Sequence, residues 1–322
     1  MSTLTRTAVG VMVVAATVLG ASTSACRVVA AEREGGAQRA TAVPVVQAVY
    51  VSATDRKHVP VTDLTAREFT LREGGDIREI IKVESATAPM RIAIIVDDSG
   101  AGIFRVPVAN FINQLLGRAD FAIKHVIAQA HTLVDYTSDV ARLRDAILKI
   151  GVRGATPEGG LVVEAIYDTA KELRGVDRPI IVVLTDTYAS YSSLPAHHVM
   201  EVLQNSGAVL YVIAVAQLAS LNPSSAPMPK DKPSDLLEQS LDINRVLGDG
   251  PKQSGGRRVE IGGLGGMIPE LQGVATELKQ QYLITYVVPA GERPNQRLNV
   301  STKRRGVSVR APARTDTSTL DR

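Results

Sequence analysis

The chain has 322 residues, 45% hydrophobic and 21% charged, a globular composition that excludes a mostly disordered, collagenous or coiled-coil protein and allows roughly two domains. Thirty-six Lys and Arg against 33 Asp and Glu give a net charge of +3, too near neutrality to imply a polyanion partner. Four Phe, eight Tyr and no Trp leave few stacking platforms for single-stranded nucleic acid, and a single Cys excludes a disulfide framework or a thiolate-rich metal cluster.

Residues 1–25 read as a secretory signal. Arg6 is the only charge before Cys26, the stretch from Ala8 to Ala21 is apolar, and Ser22, Thr23, Ser24 and Ala25 supply the small side chains that a signal peptidase needs. The expected location is therefore outside the cytoplasm: periplasmic, envelope-anchored or extracellular. Two readings stand for Cys26. Thr23-Ser24-Ala25-Cys26 is similar to a bacterial lipoprotein cleavage box, with Thr23 where that box prefers Leu, and a lipid anchor there would be the chain's one link to a membrane. Otherwise cleavage falls nearby and Cys26 is removed or stays a thiol.

Residues 26–43 read as a linker rich in Ala, Arg, Glu and Gly. A period of two then marks strands at 45–52, 69–73 and 77–85, with Gly74-Gly75-Asp76 as a turn, so that 44–87 forms an N-terminal group of strands. From residue 88 to 280 strands and helices alternate. Arg91-Ile-Ala-Ile-Ile-Val96, 179–185 and 209–215 are continuous apolar runs of the kind buried on both faces. Helices are expected at 106–117, from Asp139 to Ile150, at 159–173 and at 195–206, the last closed by Gly207. That alternation predicts a doubly wound, mostly parallel α/β sheet. Residues 217–254, with Pro223, Pro227, Pro229 and Pro233, read as a long loop, within which 234–247 has the pattern of a helix with Leu237, Leu241 and Val246 inward. Period two returns at 281–288, 297–302 and 307–311, giving C-terminal strands over 281–312 before a tail at 313–322. Three strands on either side are each too few to bury two faces, so they are expected to pair across the insertion as one small β-sandwich. From Lys303 onward Lys303, Arg304, Arg305, Arg310, Arg314 and Arg322 outnumber Asp316 and Asp321. Such a tail reads first as a solvated strand end, and only second as attracted to an anionic surface.

Ligands of an open parallel sheet lie outside the carboxyl ends of its strands. Three loops there carry oxygen-bearing side chains: Asp97-Asp98-Ser99-Gly100-Ala101, Gly154-Ala155-Thr156-Pro157 and Leu184-Thr185-Asp186-Thr187. This pattern resembles the von Willebrand factor type A domain, whose metal-ion-dependent adhesion site has D-x-S-x-S, a Thr in a second loop and an Asp in a third. The resemblance implies Asp97, Ser99, Thr156 and Asp186 as metal ligands, with Ala101 standing where the second Ser belongs. Asp63-Leu64-Thr65-Ala66-Arg67-Glu68-Phe69 with Glu73-Gly74-Gly75, and Gln281-Tyr282-Leu283-Ile284-Thr285-Tyr286 after a helix, resemble the flanks of a von Willebrand A-related family of exported, acidobacterial-type bacterial proteins. That resemblance names an architecture and leaves the activity open.

Mg²⁺ takes six oxygens and keeps several waters, so a few carboxylates and hydroxyls on rigid loops leave room for an acidic ligand. Water or Glu158 could replace the hydroxyl that Ala101 lacks, and Asp98 adds negative field. The competing reading is a decayed site in which the acids only cap strand and helix ends. An aspartyl-phosphate enzyme is disfavoured by Ser99, a dinucleotide loop by Ile268 where a third Gly is needed, and no Walker loop or G-x-S-x-G elbow occurs. His197 and His198 lie about 100° apart on a helix, and His58, His125 and His131 lack spaced ligand partners. The expectation is a non-enzymatic, adhesion-type exported protein that binds a protein partner, with weak Mg²⁺ or Mn²⁺ binding. An envelope assembly subunit without metal is the alternative, and a hydrolase using Asp97 the remote one.

Overall fold

The computed structural model describes residues 43–98, 102–151, 161–185, 192–215, 241–293 and 296–314. Among them, the first group of strands is β1 (Val45–Thr54), β2 (Phe69–Glu73), β3 (Asp76–Ile77) and β4 (Glu79–Ser85). The insertion holds β5 (Met90–Asp97), α1 (Arg105–Leu115), β6 (Ala119–Val126), β7 (Ala130–Thr137), α2 (Val140–Lys149) and α3 (Val162–Glu172). It continues with β8 (Pro179–Thr185), α4 (Ala196–Ser206), β9 (Val209–Val215), α5 (Gly250–Gln253), β10 (Arg258–Ile261) and α6 (Met267–Lys279). β11 (Tyr282–Val288), β12 (Leu298–Thr302) and β13 (Ser308–Arg310) complete the chain.

The insertion is built on a six-stranded sheet in the order β10-β9-β8-β5-β6-β7. All neighbours are parallel except β6 and β7, which form an antiparallel edge hairpin. Every residue of β8 and β9 is buried, because side chains alternate between two covered faces. Ile92, Ile94 and Val96 of β5 join a core with α1, α2 and α6, while Ala93 and Ile95 join another with α3 and α4. Local chemistry sets the helix limits. The Asp139 carboxylate accepts the N–H groups of Ala141 and Arg142, and Gly207, at φ 66°, closes α4 in the left-handed conformation.

Within the long loop expected over 217–254, the described residues are helical from 241 to 253, matching the second half of the helix expected at 234–247 and extending beyond it. A π-helical turn at Arg245–Asp249 precedes α5, next to Pro251, whose missing N–H interrupts the regular ladder. Ile243, Val246 and Leu247 are its buried side chains, whereas Leu241 is 51% exposed. Of the expected inward positions Val246 is buried and Leu241 is not, while Leu237 lies outside the described residues; Ile243, Val246 and Leu247 keep the i, i+3, i+4 spacing of one helix face.

The outer strands do pair across the insertion. One antiparallel sheet has the order β13-β1-β11-β4 and a second β12-β2-β3, with Val45↔Val288 through Val51↔Tyr282 joining β1 to β11. They enclose Val49, Val51, Leu71, Ile284, Tyr286 and Val300 with their neighbours. The single strand expected over 77–85 is broken at Arg78, whose N–H bonds to Leu71 O and whose buried guanidinium pairs with Glu73 and Glu292. Burying that charge needs both partners.

The sandwich adjoins the amino-terminal edge of the parallel sheet, where β4 leads into β5 and α6 into β11. Arg178, at the start of β8, donates to Ala86 O, Ala88 O, Leu278 O and Gln281 Oε1, and Gln281 donates in turn to Ser52 Oγ of β1. Beside it, Glu277 of α6 accepts Tyr211 Oη–H at 2.8 Å and pairs with Arg310 of β13. The C-terminal segment crosses here at close range. A Cβ on Gly256 would meet Leu210 O at 2.0 Å, and one on Gly255 would meet Ala311 C at 2.7 Å, so both positions require glycine.

Candidate functional site

The opposite, carboxyl edge of the sheet holds the acidic loop. β5 lies between β8 and β6, the point at which successive strands begin to be laid on the other side, and crevices open at such points. Asp97 ends β5, in register with Thr185 of β8 and Val126 of β6. The Asp97 side chain is buried, and the Thr185 hydroxyl donates to its Oδ2 at 2.8 Å. A buried carboxylate requires such donors to offset lost hydration.

Asp98 is also buried. Its Oδ2 accepts Gly102 N–H at 3.1 Å, holding the return of the loop, and its Oδ1 lies 3.7 Å from Nε2 of buried His125 on β6. A third carboxylate organises the neighbouring loop ends: Glu164 Oε1, in the first turn of α3, accepts Ser192 Oγ–H, Ser193 N–H and Ser193 Oγ–H. It therefore ties the start of α3 to the segment entering α4, where the loops bearing Thr156 and Asp186 end.

Of the four expected ligands, Asp97 stands at the carboxyl end of β5 at the switch point, and Ser99, Thr156 and Asp186 lie outside the described residues, as do Ala101 and Glu158. Among the described residues, no three His, Cys, Asp or Glu side chains are grouped to hold a metal ion. Asp97 fits such a site as a single oxygen donor at the strand end, oriented by Thr185. The partnership of Thr185 was missed in the sequence because it depends on register between strands 88 residues apart. His125 reads from sequence as an isolated strand histidine, and only the β5–β6 pairing sets it beside Asp98. His197 and His198 are both exposed, with ring centroids 4.3 Å apart.

A mostly parallel sheet with an antiparallel edge, helices on both faces and an acidic strand end at the switch point is the architecture that the resemblance to von Willebrand A domains implies. The insertion has a von Willebrand A-like fold. No family model matches the chain, and no curated protein matches it. Among solved structures it is similar to proximal thread matrix protein 1 from the mussel byssus, at 11% identity and a TM-score of 0.43 over 61% of this chain and 49% of that one. The PilB minor pilin from Streptococcus sanguinis gives 10%, 0.43, 61% and 62% for the same quantities. A von Willebrand factor type A protein from Catenulispora acidiphila gives 11%, 0.42, 87% and 75%. The chain thus spans about half the length of the mussel protein and under two thirds of the pilin.

Proposed function

We propose that this chain is an exported, non-enzymatic binding protein whose A-like domain meets a protein partner at the carboxyl edge of its sheet, with a weakly held Mg²⁺ or Mn²⁺ taking part. The observation that carries the reading is the pair of consecutive buried acids, Asp97 and Asp98, at the switch point. Thr185 orients the first, and the second anchors the loop that contains Ser99. Two neighbouring carboxylates make a field that favours a cation. Asp97 and Asp186 would supply charge, and Ser99 and Thr156 neutral oxygens, so that the ion stays electrophilic enough to take a carboxylate from the partner. The described residues assemble no set of nucleophile, base and oxyanion donors.

Calorimetric titration with Mn²⁺ tests the metal. Wild-type protein should bind at millimolar concentration, Asp97→Ala should abolish binding, and Ala101→Ser should tighten it about fivefold, the effect of roughly 1 kcal/mol for one added polar contact. Failure of the wild type and of Ala101→Ser to bind would show the site to be a relic. Affinity capture from the native envelope tests the partner: a protein retained by wild type and lost with the Asp97→Ala, Asp186→Ala double variant supports adhesion at this edge. Retention by both would favour an assembly role instead.

A further inference from the structure

The fold concentrates positive charge at one end of the sandwich in a way that the linear sequence conceals. Three turns meet there. Thr54, at the end of β1, pairs with Ser308 of β13 and bridges to Pro60, so the turn carrying Arg56, Lys57 and His58 lies beside the β12–β13 connection between the two sheets, which carries Lys303, Arg304 and Arg305. That connection is fastened to a third segment: Lys303 N–H bonds to Glu68 O, Lys303 Nζ to Arg67 O, and Arg304 to Asp63 and Glu68. Arg56, Lys57, Arg67, Lys303, Arg304 and Arg305 thus face three acids, Asp55, Asp63 and Glu68.

The acids are already committed. Asp55 accepts the N–H groups of Lys57 and Val59. Glu68 is held below the usual carboxylate range by the Thr65 N–H and then by Arg304. The side chains of Arg56, Lys57, Arg67, Lys303 and Arg305 are exposed. His58 sits at the tip of the first turn with φ 61°, a left-handed backbone uncommon outside glycine, and beside it Val59 is 55% exposed.

From this geometry we infer that this end of the sandwich docks on a membrane of anionic phospholipid. Cations surrounding an exposed aliphatic side chain suit the boundary between headgroups and acyl chains, where each Lys or Arg near the surface adds about 1 kcal/mol. No Phe, Tyr or Trp stands in the three turns to stack on sugars or bases, which sets a glycan or nucleic-acid occupant aside. The candidate crevice lies at the far edge of the A-like domain's sheet, a strand length of about 25 Å from the edge that adjoins the sandwich. The inference is independent of the metal site.

Co-sedimentation of the full chain with vesicles, in chelator, tests it. Partitioning into vesicles of mixed phosphatidylglycerol and phosphatidylcholine should exceed that into phosphatidylcholine alone, and the excess should vanish in 1 M salt, where charges are screened within about 3 Å. Arg56→Gln, Lys57→Gln, Arg305→Gln together should cut anionic-vesicle binding about a hundredfold, three times the single-cation increment. Residues 1–25 are common to every variant, so they leave the comparison unchanged. As a charge-matched control, Arg72→Gln, Lys82→Gln, Arg297→Gln should retain most of the binding, and circular dichroism should show both triple variants folded. Equal partitioning into neutral vesicles, unchanged binding by the first triple variant, or an equal loss in the control would each overturn the inference.

Discussion

Arg178 and Arg310 are both largely buried guanidiniums at the junction between sandwich and A-like domain, yet their surroundings move them in opposite directions. Burial lowers the pKa of Arg178, with only phenols and Asp177 in support. Burial would lower that of Arg310 too, but Glu277 and Tyr211 beside it together outweigh the effect and the net shift is upward. Four phenols are also displaced. Tyr50, Tyr136, Tyr211 and Tyr282 all have raised pKa values, in each case first through burial, with Asp177, Glu172 and Glu277 adding to it at the first three. A phenol whose folded pKa is raised stabilises the fold fully below its unfolded value near 10, and that stability is lost as pH rises above it. Absorbance at 295 nm should therefore show a group of the eight tyrosines that ionises only together with unfolding, as followed by circular dichroism. Ionisation of all eight near pH 10 in still-folded protein would contradict this. At the candidate site, Asp97 was legible because a carboxylate directly after a buried apolar run has few roles, whereas the groups that hold it and Asp98 were not. Thr185 and His125 reach them only through lateral strand pairing, which no local pattern encodes.

Element ends show where local chemistry suffices. Asp139 alone satisfies two N–H groups at the start of α2, so Asp139→Ala should cost about 1 kcal/mol and lower the melting temperature by roughly 2–4 °C for a chain of this size. Gly256→Ala should cost more, since its Cβ would strike the Leu210 backbone rather than a movable side chain. Thermal melts of both variants check the order, and a Gly256→Ala melt at or above that of Asp139→Ala would show that the backbone at Gly256 can move away from β9. Capping residues and unbroken apolar runs made most helices and the buried strands legible in the sequence. The break at Arg78 was not, because an arginine amid alternating apolar residues looks like the outward face of a strand until Glu73 and Glu292 meet it. The helix read over 234–247 is present from residue 241, but its continuation to Gln253 was not legible, because Gly248, Gly250 and Pro251 are poor helix residues. β4 solves a different problem. As an open edge it sets Glu79, Lys82 and Glu84 on the outer face and bulges opposite Thr285 and Tyr286, and charge and irregularity both discourage pairing with another chain.

At the scale of the molecule, the sandwich can close only if the A-like domain returns its two ends to the same place, because β1 and β4 pair with β11 across the whole insertion. Arg178 is the residue that measures this closure. It reaches the β4–β5 link through Ala86 and Ala88, the end of α6 through Leu278, and the start of β11 through Gln281, so both links bear on one side chain. Arg178→Ala would leave several buried acceptors without a donor, at about 1–3 kcal/mol each before water relieves some of them. The expected loss is roughly 3 kcal/mol or more, or about 6–12 °C. The backbone supplies an internal control. Arg178 has φ 49°, which glycine adopts without penalty and alanine does not, so Arg178→Gly should be about 1 kcal/mol more stable than Arg178→Ala although both lose the same hydrogen bonds. Denaturant unfolding of the three proteins separates the two contributions. An Arg178→Ala midpoint equal to wild type would mean that the two bodies are held by the Glu277 cluster and strand pairing alone. If Gly and Ala instead prove equally destabilising, the left-handed turn before β8 relaxes once the guanidinium is gone, and the side chain itself imposes that turn.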